Sequence, residues 1–179
     1  MSLSLATLIP GLLLLALGVP LLIANPGFLA SLRAMPRSTA ASYLLFGSAA
    51  AWLLYNIWHL SPADFGDYRV PLFFAFAAIA ALSFKCVPDF LAVRGLSVLA
   101  LLGAWPVLMA GYMVWDHPQV YFLKVFVYVC IVLAIWLGTQ PWRLRDFLEW
   151  LFARPGRIRG AGGLLAAYGL LLAILAFTY

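Results

Sequence analysis

Charged residues are scarce in this chain. Only 9% of its 179 residues are charged and 66% are hydrophobic, whereas roughly a quarter of the residues of a soluble domain are charged. The polar residues are too few to cover the surface of a soluble protein of this size. Lipid must therefore be the solvent for much of the chain. No polar stretch is longer than a loop, which argues against a separate soluble domain. We therefore expect a single transmembrane domain over residues 1–179.

Common catalytic motifs are also missing. The chain has no G-x-S-x-G, H-E-x-x-H or C-x-x-C sequence and no phosphate-binding glycine loop. No Asp, Glu, Lys, Arg or His falls in the central third of any predicted span, although ion-coupled transporters and proton pumps keep such residues at depth. Cys86 and Cys130 are expected at different depths, which argues against a disulfide. These absences favour a protein without catalysis of its own.

Six apolar runs are long enough to cross about 30 Å of hydrocarbon as helices. The sequence therefore predicts an all-α integral membrane protein with six transmembrane helices arranged as three consecutive hairpins. The first run has no basic residue before it and is too long for a signal peptide, so we expect it to remain as a span. The hairpins are 5–60, 70–115 and 119–178, and the spans are 5–24, 39–60, 70–85, 95–115, 119–139 and 160–178.

A short sequence motif recurs in the linkers that join the two spans of each predicted hairpin. Residues 147–155 repeat the pattern F-L-x-x-L-x-A-x-P of residues 28–36, and residues 90–94 give a weaker echo. The intervals of 62 and 57 positions between the three leading phenylalanines indicate a possible internal triplication. Chance similarity between short interfacial turns is the alternative. We expect these linkers to form short amphipathic segments at the membrane surface.

Basic residues distinguish the two sides of the predicted bundle. Arg69 and Lys124 lie on one side, and the other nine of the eleven lie in the linkers: Arg33, Arg37, Lys85, Arg94, Arg143, Arg145, Arg154, Arg157 and Arg159. Short loops rich in Lys and Arg stay in the cytoplasm. We therefore expect a multi-pass protein of the bacterial inner (plasma) membrane, with cytoplasmic linkers and both termini outside.

The densest basic segment, residues 140–159, has two interpretations. Its apolar residues share one helical side: Trp142, Leu144, Phe147, Leu148, Leu151 and Phe152. Its opposite side carries charge: Arg143, Arg145, Asp146 and Glu149. The favoured interpretation is a surface helix held by anionic lipid headgroups, and the alternative is a docking site for a partner. The basic residues for either role are Arg143, Arg145, Arg154, Arg157 and Arg159. Because the charges cluster beside spans, nucleic acid is not an expected partner.

A polar and aromatic cluster is predicted on the side opposite the linkers. Its members are Trp52, Asn56, His59, Tyr112, Asp116, His117, Tyr121, Lys124 and Tyr128. They could line an outward-facing pocket for a small ligand. The favoured interpretation is an aromatic belt with snorkelling Lys124 and one interhelical hydrogen bond from Asn56. Two histidines on different helices are weak evidence for metal or haem, so no cofactor is predicted.

Small residues four positions apart suggest close helix packing in lipid. The pairs are Gly47/Ala51, Ala77/Ala81, Ala100/Ala104, Gly163/Ala167 and Gly169/Ala173. An exposed stripe of this kind could seat another membrane subunit or a second copy. The leading hypothesis is a non-catalytic structural or accessory subunit of a membrane complex. The alternatives are a small-solute binding or transport component that uses the polar cluster, and a redox or cofactor-binding subunit that uses His59 and His117.

Overall fold

The chain folds entirely into helices. A computed structural model describes all 179 residues, of which 83% are helical, with no strand. The α-helices are α1 (Leu3–Leu22), α2 (Pro26–Ala34), α3 (Thr39–Trp58), α4 (Arg69–Cys86), α5 (Leu91–Ala110), α6 (Val120–Thr139), α7 (Trp142–Phe152) and α8 (Pro155–Leu175). Single 3-10 turns occur at Met35–Arg37, Pro62–Asp64 and Gly66–Tyr68. All except α2 and α7 are long and apolar enough to cross a membrane, which confirms the all-α class and the six long apolar helices.

Two helices begin and end at other residues than the sequence predicts. The fourth long helix runs from 91 to 110 instead of 95 to 115, because the chain turns after Ala110 and Met113 adopts a positive φ of 54°. The last long helix starts at Pro155 instead of residue 160. Proline suits the first position of a helix, since its missing N–H would have no partner there. Gly160 therefore lies inside α8.

Helices α1 and α8 pack antiparallel with their backbones in contact. Gly11 and Gly18 are seven residues apart on α1, as are Gly162 and Gly169 on α8, so each pair lies on one helix face. A Cβ atom on Gly18 would lie 2.5 Å from the backbone nitrogen of Ala166, and one on Gly169 would lie 2.8 Å from the carbonyl oxygen of Gly11. Real Cβ atoms do not come so close to backbone atoms. Only glycine allows this spacing of the two helices.

Helix α5 is the centre of a second group, with α3 and α6 on either side of it. Gly95 of α5 lies directly against the backbone of Leu45 and Phe46 in α3, where a Cβ atom would collide. On the α6 side, a Cβ atom on Gly138 would lie 3.6 Å from the Cβ of Ser97, an ordinary contact. Small residues thus bring α5 close to both neighbours.

Helix α4 lies at the edge of the bundle. Its main helix neighbour is α3, and none of its residues is buried. Aromatic rings join the two helices at both ends: Phe84 stacks on Tyr43 with 4.9 Å between ring centroids, and Phe73 meets Trp58 at 5.5 Å. The principal packing pairs are thus α1 with α8, α5 with α3 and α6, and α3 with α4. The two helices of each predicted hairpin are not each other's main neighbours.

One end of the bundle, called the basic end below, carries the three linkers. Helix α2 contacts α7 there, and the turn Met35–Arg37 contacts α5 and α7. A buried core cluster joins α7 to α1 and α8 at this end. It consists of Leu21, Leu148, Leu151, Phe152 and Ile158. The nine basic linker residues lie at this end. Arg69 and Lys124 lie at the opposite end, with residues 1–2 and 176–179.

Candidate functional site

The α3 part of the predicted polar cluster makes mainly local contacts. The Nδ1 atom of His59 lies 2.8 Å from the carbonyl oxygen of Tyr55, and the two rings are 4.2 Å apart between centroids. Asn56 is exposed and its side chain forms no hydrogen bond within the protein. Trp52 packs beside Gly103 of α5. No hydrogen bond or ring contact joins these residues to the rest of the cluster.

The predicted residues that follow α5 or lie on α6 are exposed, apart from half-buried Lys124 and His117. Tyr112 and Asp116 lie in the turn after α5 and are exposed. The Nζ atom of Lys124 lies 5.3 Å from the ring centroid of Tyr121, a cation–π distance. Tyr128 is exposed on the outer surface of α6. The pocket therefore stays a prediction, and the contacts found here are those between neighbours on one helix.

His117 is brought into a cluster that the sequence did not predict. Its ring meets that of Tyr179 edge-on, with 5.5 Å between centroids. The side-chain nitrogen of Gln119 lies 3.4 Å from Nδ1 of His117 and donates to the hydroxyl of Thr178 at 3.4 Å. Burial raises the pKa of Tyr179. No sequence signal places residues 178–179 beside 117–119, because the contact depends on how α6 and α8 pack.

Helix α7 divides its apolar side between core and surface. Leu148, Leu151 and Phe152 are buried in the core cluster, whereas Phe147 is 51% exposed and Trp142 is also exposed. The arrangement shows an amphipathic helix whose inner face is the Leu/Phe stripe. The outward aromatic residues extend to Trp150, whose ring is 5.9 Å from that of Phe147.

Four of the nine cations at the basic end lie over aromatic rings. The guanidinium of Arg157 lies 4.4 Å from the Trp150 ring centroid and donates to the Trp150 carbonyl oxygen at 2.9 Å, which fixes the corner between α7 and α8. Arg33 lies over Phe152 at 4.8 Å. The only ion pairs in the protein are formed by Arg145, with Asp146 at 2.7 Å and Glu149 at 3.7 Å. The hydrogen bond and charge of Asp146 raise the pKa of Arg145.

The remaining predicted cations behave differently. Arg154 and Arg159 are exposed and have no partner within the protein. Arg143 is also exposed, and its guanidinium lies 5.9 Å from the Trp136 ring centroid. These side chains are free to meet negatively charged groups outside the protein.

An apolar groove that the sequence did not predict opens between α3, α4 and α5. Its volume is about 250 Å³. Nine of the ten residues that line it are hydrophobic, and Ser83 is the exception. A second cavity, of about 310 Å³, lies on the outer face of α8 alone. Neither cavity includes a member of the predicted polar cluster.

No group of three or more His, Cys, Asp or Glu side chains is placed to hold a metal ion. Neither protein-family models, curated proteins nor solved structures match this chain.

Proposed function

We propose that the protein crosses the plasma membrane of a bacterium six times. The six crossings form three successive hairpins in chain order, although the two helices of a hairpin are not main packing partners. In this proposal the basic end faces the cytoplasm and the two termini face outward. The clustering of nine of the eleven Lys and Arg residues at one end supports it, because such residues remain on the cytoplasmic side. Exposed Arg154 and Arg159 are available to anionic headgroups, each with an attraction of about 1 kcal/mol.

The native cysteines provide a test of this orientation. Cys86 is exposed at the basic end, and Cys130 is half-buried within α6. In a Cys130→Ser background, a membrane-impermeant maleimide should label Cys86 only after the cytoplasmic side is opened. A cysteine at Asp64, in the loop at the other end, should be labelled in intact cells. Labelling of Cys86 from outside would overturn the orientation.

We propose further that the protein is a non-catalytic structural or accessory subunit of a membrane complex. The observation that carries this proposal is that α4 has no buried residue. Its outward side presents Ala75, Ala78 and Ala81, which are all exposed. Small side chains let helix backbones approach closely in lipid, where dispersion contacts drive association. The outer side of α4 is therefore suited to a helix of another subunit or of a second copy.

The test is native mass spectrometry of the protein released from its own membrane in mild detergent. We expect a stoichiometric complex for the unaltered chain. The complex should be lost in Ala78→Phe, because the ring would hold a partner helix away from α4. Ala16→Phe, on the exposed side of α1, is the matched control and should leave the complex intact. A monomer from the unaltered chain would refute the proposal, as would equal effects of the two substitutions.

A further inference from the structure

The groove between α3, α4 and α5 exists because α4 is held only near its ends. The ring contacts of Phe84 and Phe73 join α4 to α3 at its two ends. Between them Ala49, Ala50 and Ala80 are the small residues of a lining that is otherwise mostly large and apolar, and the space left has a volume of about 250 Å³. The groove thus lies in the middle of long apolar helices, at the depth that lipid chains would occupy.

The interior of the groove provides no free polar group. Its only polar lining residue is Ser83, whose hydroxyl donates to the carbonyl oxygen of Ile79 at 2.7 Å. Apolar cavities of this kind exclude water and accept apolar molecules. The part of any ligand that enters the groove must therefore be a hydrocarbon chain.

A positive charge lies one helical turn beyond the groove. Val98 lines the groove, and Arg94 precedes it by four residues, so both lie on one face of α5 about 6 Å apart along the axis. The Nε atom of Arg94 is enclosed and has no hydrogen-bond partner. An enclosed donor without an acceptor is costly, and a charged one more so. No hydrogen bond or ion pair satisfies the Arg94 guanidinium within the protein, and its two terminal nitrogens, unlike Nε, are not enclosed, so an anionic ligand would bind at those nitrogens.

Other charges near this end increase the attraction for an anion. The guanidinium of Arg37 lies 5.3 Å from the ring centroid of Phe90, the residue before α5. Lys85 lies in the last turn of α4. Asp89, in the same linker, is exposed and forms no ion pair with either cation or with Arg94. Three cations therefore stand at the basic end of the groove without a carboxylate partner.

We propose that this site binds one anionic phospholipid, with an acyl chain in the groove and the phosphate on Arg94. Phosphate accepts strong charge-assisted hydrogen bonds from guanidinium groups. Because the apolar groove and the cation share one face of α5, a molecule with both features fits better than either a free anion or an uncharged alkyl chain. The proposal rests on the membrane location proposed above but not on a partner subunit.

The experiment is a titration of the purified full chain in neutral detergent, read by native mass spectrometry. The probes are phosphatidylglycerol, phosphatidylcholine with the same chains, and inorganic phosphate. We expect one molecule of phosphatidylglycerol to remain bound, with at least tenfold weaker retention of phosphatidylcholine. Arg94→Gln should weaken phosphatidylglycerol binding by about tenfold or more, since a hydrogen bond to a charged group is lost. Arg159→Gln, which removes an exposed arginine from the same end, should have no effect.

The groove is tested with a pair of substitutions on α4. Ala80→Phe fills the groove and should abolish retention, whereas Ala78→Phe points outward and should not change it. If Ala80→Phe fails to fold, as judged by circular dichroism, the Arg94→Gln comparison decides alone. Equal binding of the two lipids, or an unchanged Arg94→Gln, would overturn the proposal. Full competition by inorganic phosphate would overturn it too, because it would identify a free-anion site.

The outcome is separable from that of the subunit proposal. A monomer that retains phosphatidylglycerol would refute the subunit role and support the lipid site. A stable complex whose isolated chain shows no preference between the lipids would do the opposite.

Discussion

Replacement of Gly162 by alanine should push α1 and α8 apart. A Cβ atom at this position would lie 2.7 Å from the carbonyl carbon of Leu21 and 2.8 Å from the Cα of Leu22. Both are backbone atoms and cannot rotate away. Overpacking of this kind costs about 1–3 kcal/mol, and a collision with a backbone belongs at the upper end of that range.

Alanine also favours the helix more than glycine does, by about 1 kcal/mol. Gly160→Ala isolates this gain, because a Cβ atom at Gly160 would meet nothing within 4 Å and the residue lies on the same helix. The difference in free energy of unfolding between the two variants should therefore be about 3 kcal/mol, with Gly162→Ala the less stable. The measurement is reversible unfolding of both proteins in mixed micelles, followed by circular dichroism. Equal unfolding midpoints would show that the α1 and α8 backbones are not in contact in the membrane protein.

Three further predictions concern other contacts. Leu151→Ala should lower the free energy of unfolding by about 2–5 kcal/mol, because it opens a cavity in the core cluster. Phe147→Ala should lower it much less in the same micelle assay, since Phe147 is largely exposed. Tyr168→Phe should cost about 0.6 kcal/mol by removing the hydrogen bond from its hydroxyl to the Phe122 carbonyl oxygen, and an unchanged stability would show that this bond is replaced by lipid or water. Burial raises the pKa of the Tyr179 hydroxyl from 10.0, so its contribution to the free energy of unfolding is fully present below pH 10.0 and is lost as the pH rises through the pKa of the folded state. Tyr179→Phe should abolish this part of the alkaline loss of stability. An identical dependence of the free energy of unfolding on pH in the two proteins would contradict the assignment.

The sequence predicted the helices well because their signals are local. Six long apolar runs appear in the printed chain, and the structure contains six long apolar helices at nearly the same residues. The amphipathic pattern of 142–152 likewise predicted a surface helix with Leu148 and Leu151 on its apolar side. The end of α5 was missed because the apolar residues continue past the point at Met113 where the backbone turns.

The packing partners and the groove were not predictable in the same way. The pair Gly169/Ala173 indicated close packing, but nothing local identified Gly11 as the partner. A pair such as Gly47/Ala51 has the same spacing, yet a Cβ atom on Gly47 would meet nothing within 4 Å. The groove depends on the distance between α3 and α4, and the contact of His117 with Tyr179 depends on the placement of α6 and α8. Such properties arise from the whole arrangement and leave no periodic signal in one segment.

The glycine contact between α1 and α8 has a consequence for biosynthesis. Gly11 and Gly169 are separated by 158 positions (169 minus 11), and a ribosome adds about 5–20 residues per second. The interval between synthesis of Gly11 in α1 and synthesis of Gly169 in α8 is therefore on the order of ten to thirty seconds. During translation the glycine-lined face of α1 therefore lacks the helix against which it packs in the folded chain. The close backbone contact between α1 and α8 can therefore form only at the end of synthesis. A chain that is truncated before α8 cannot make this contact.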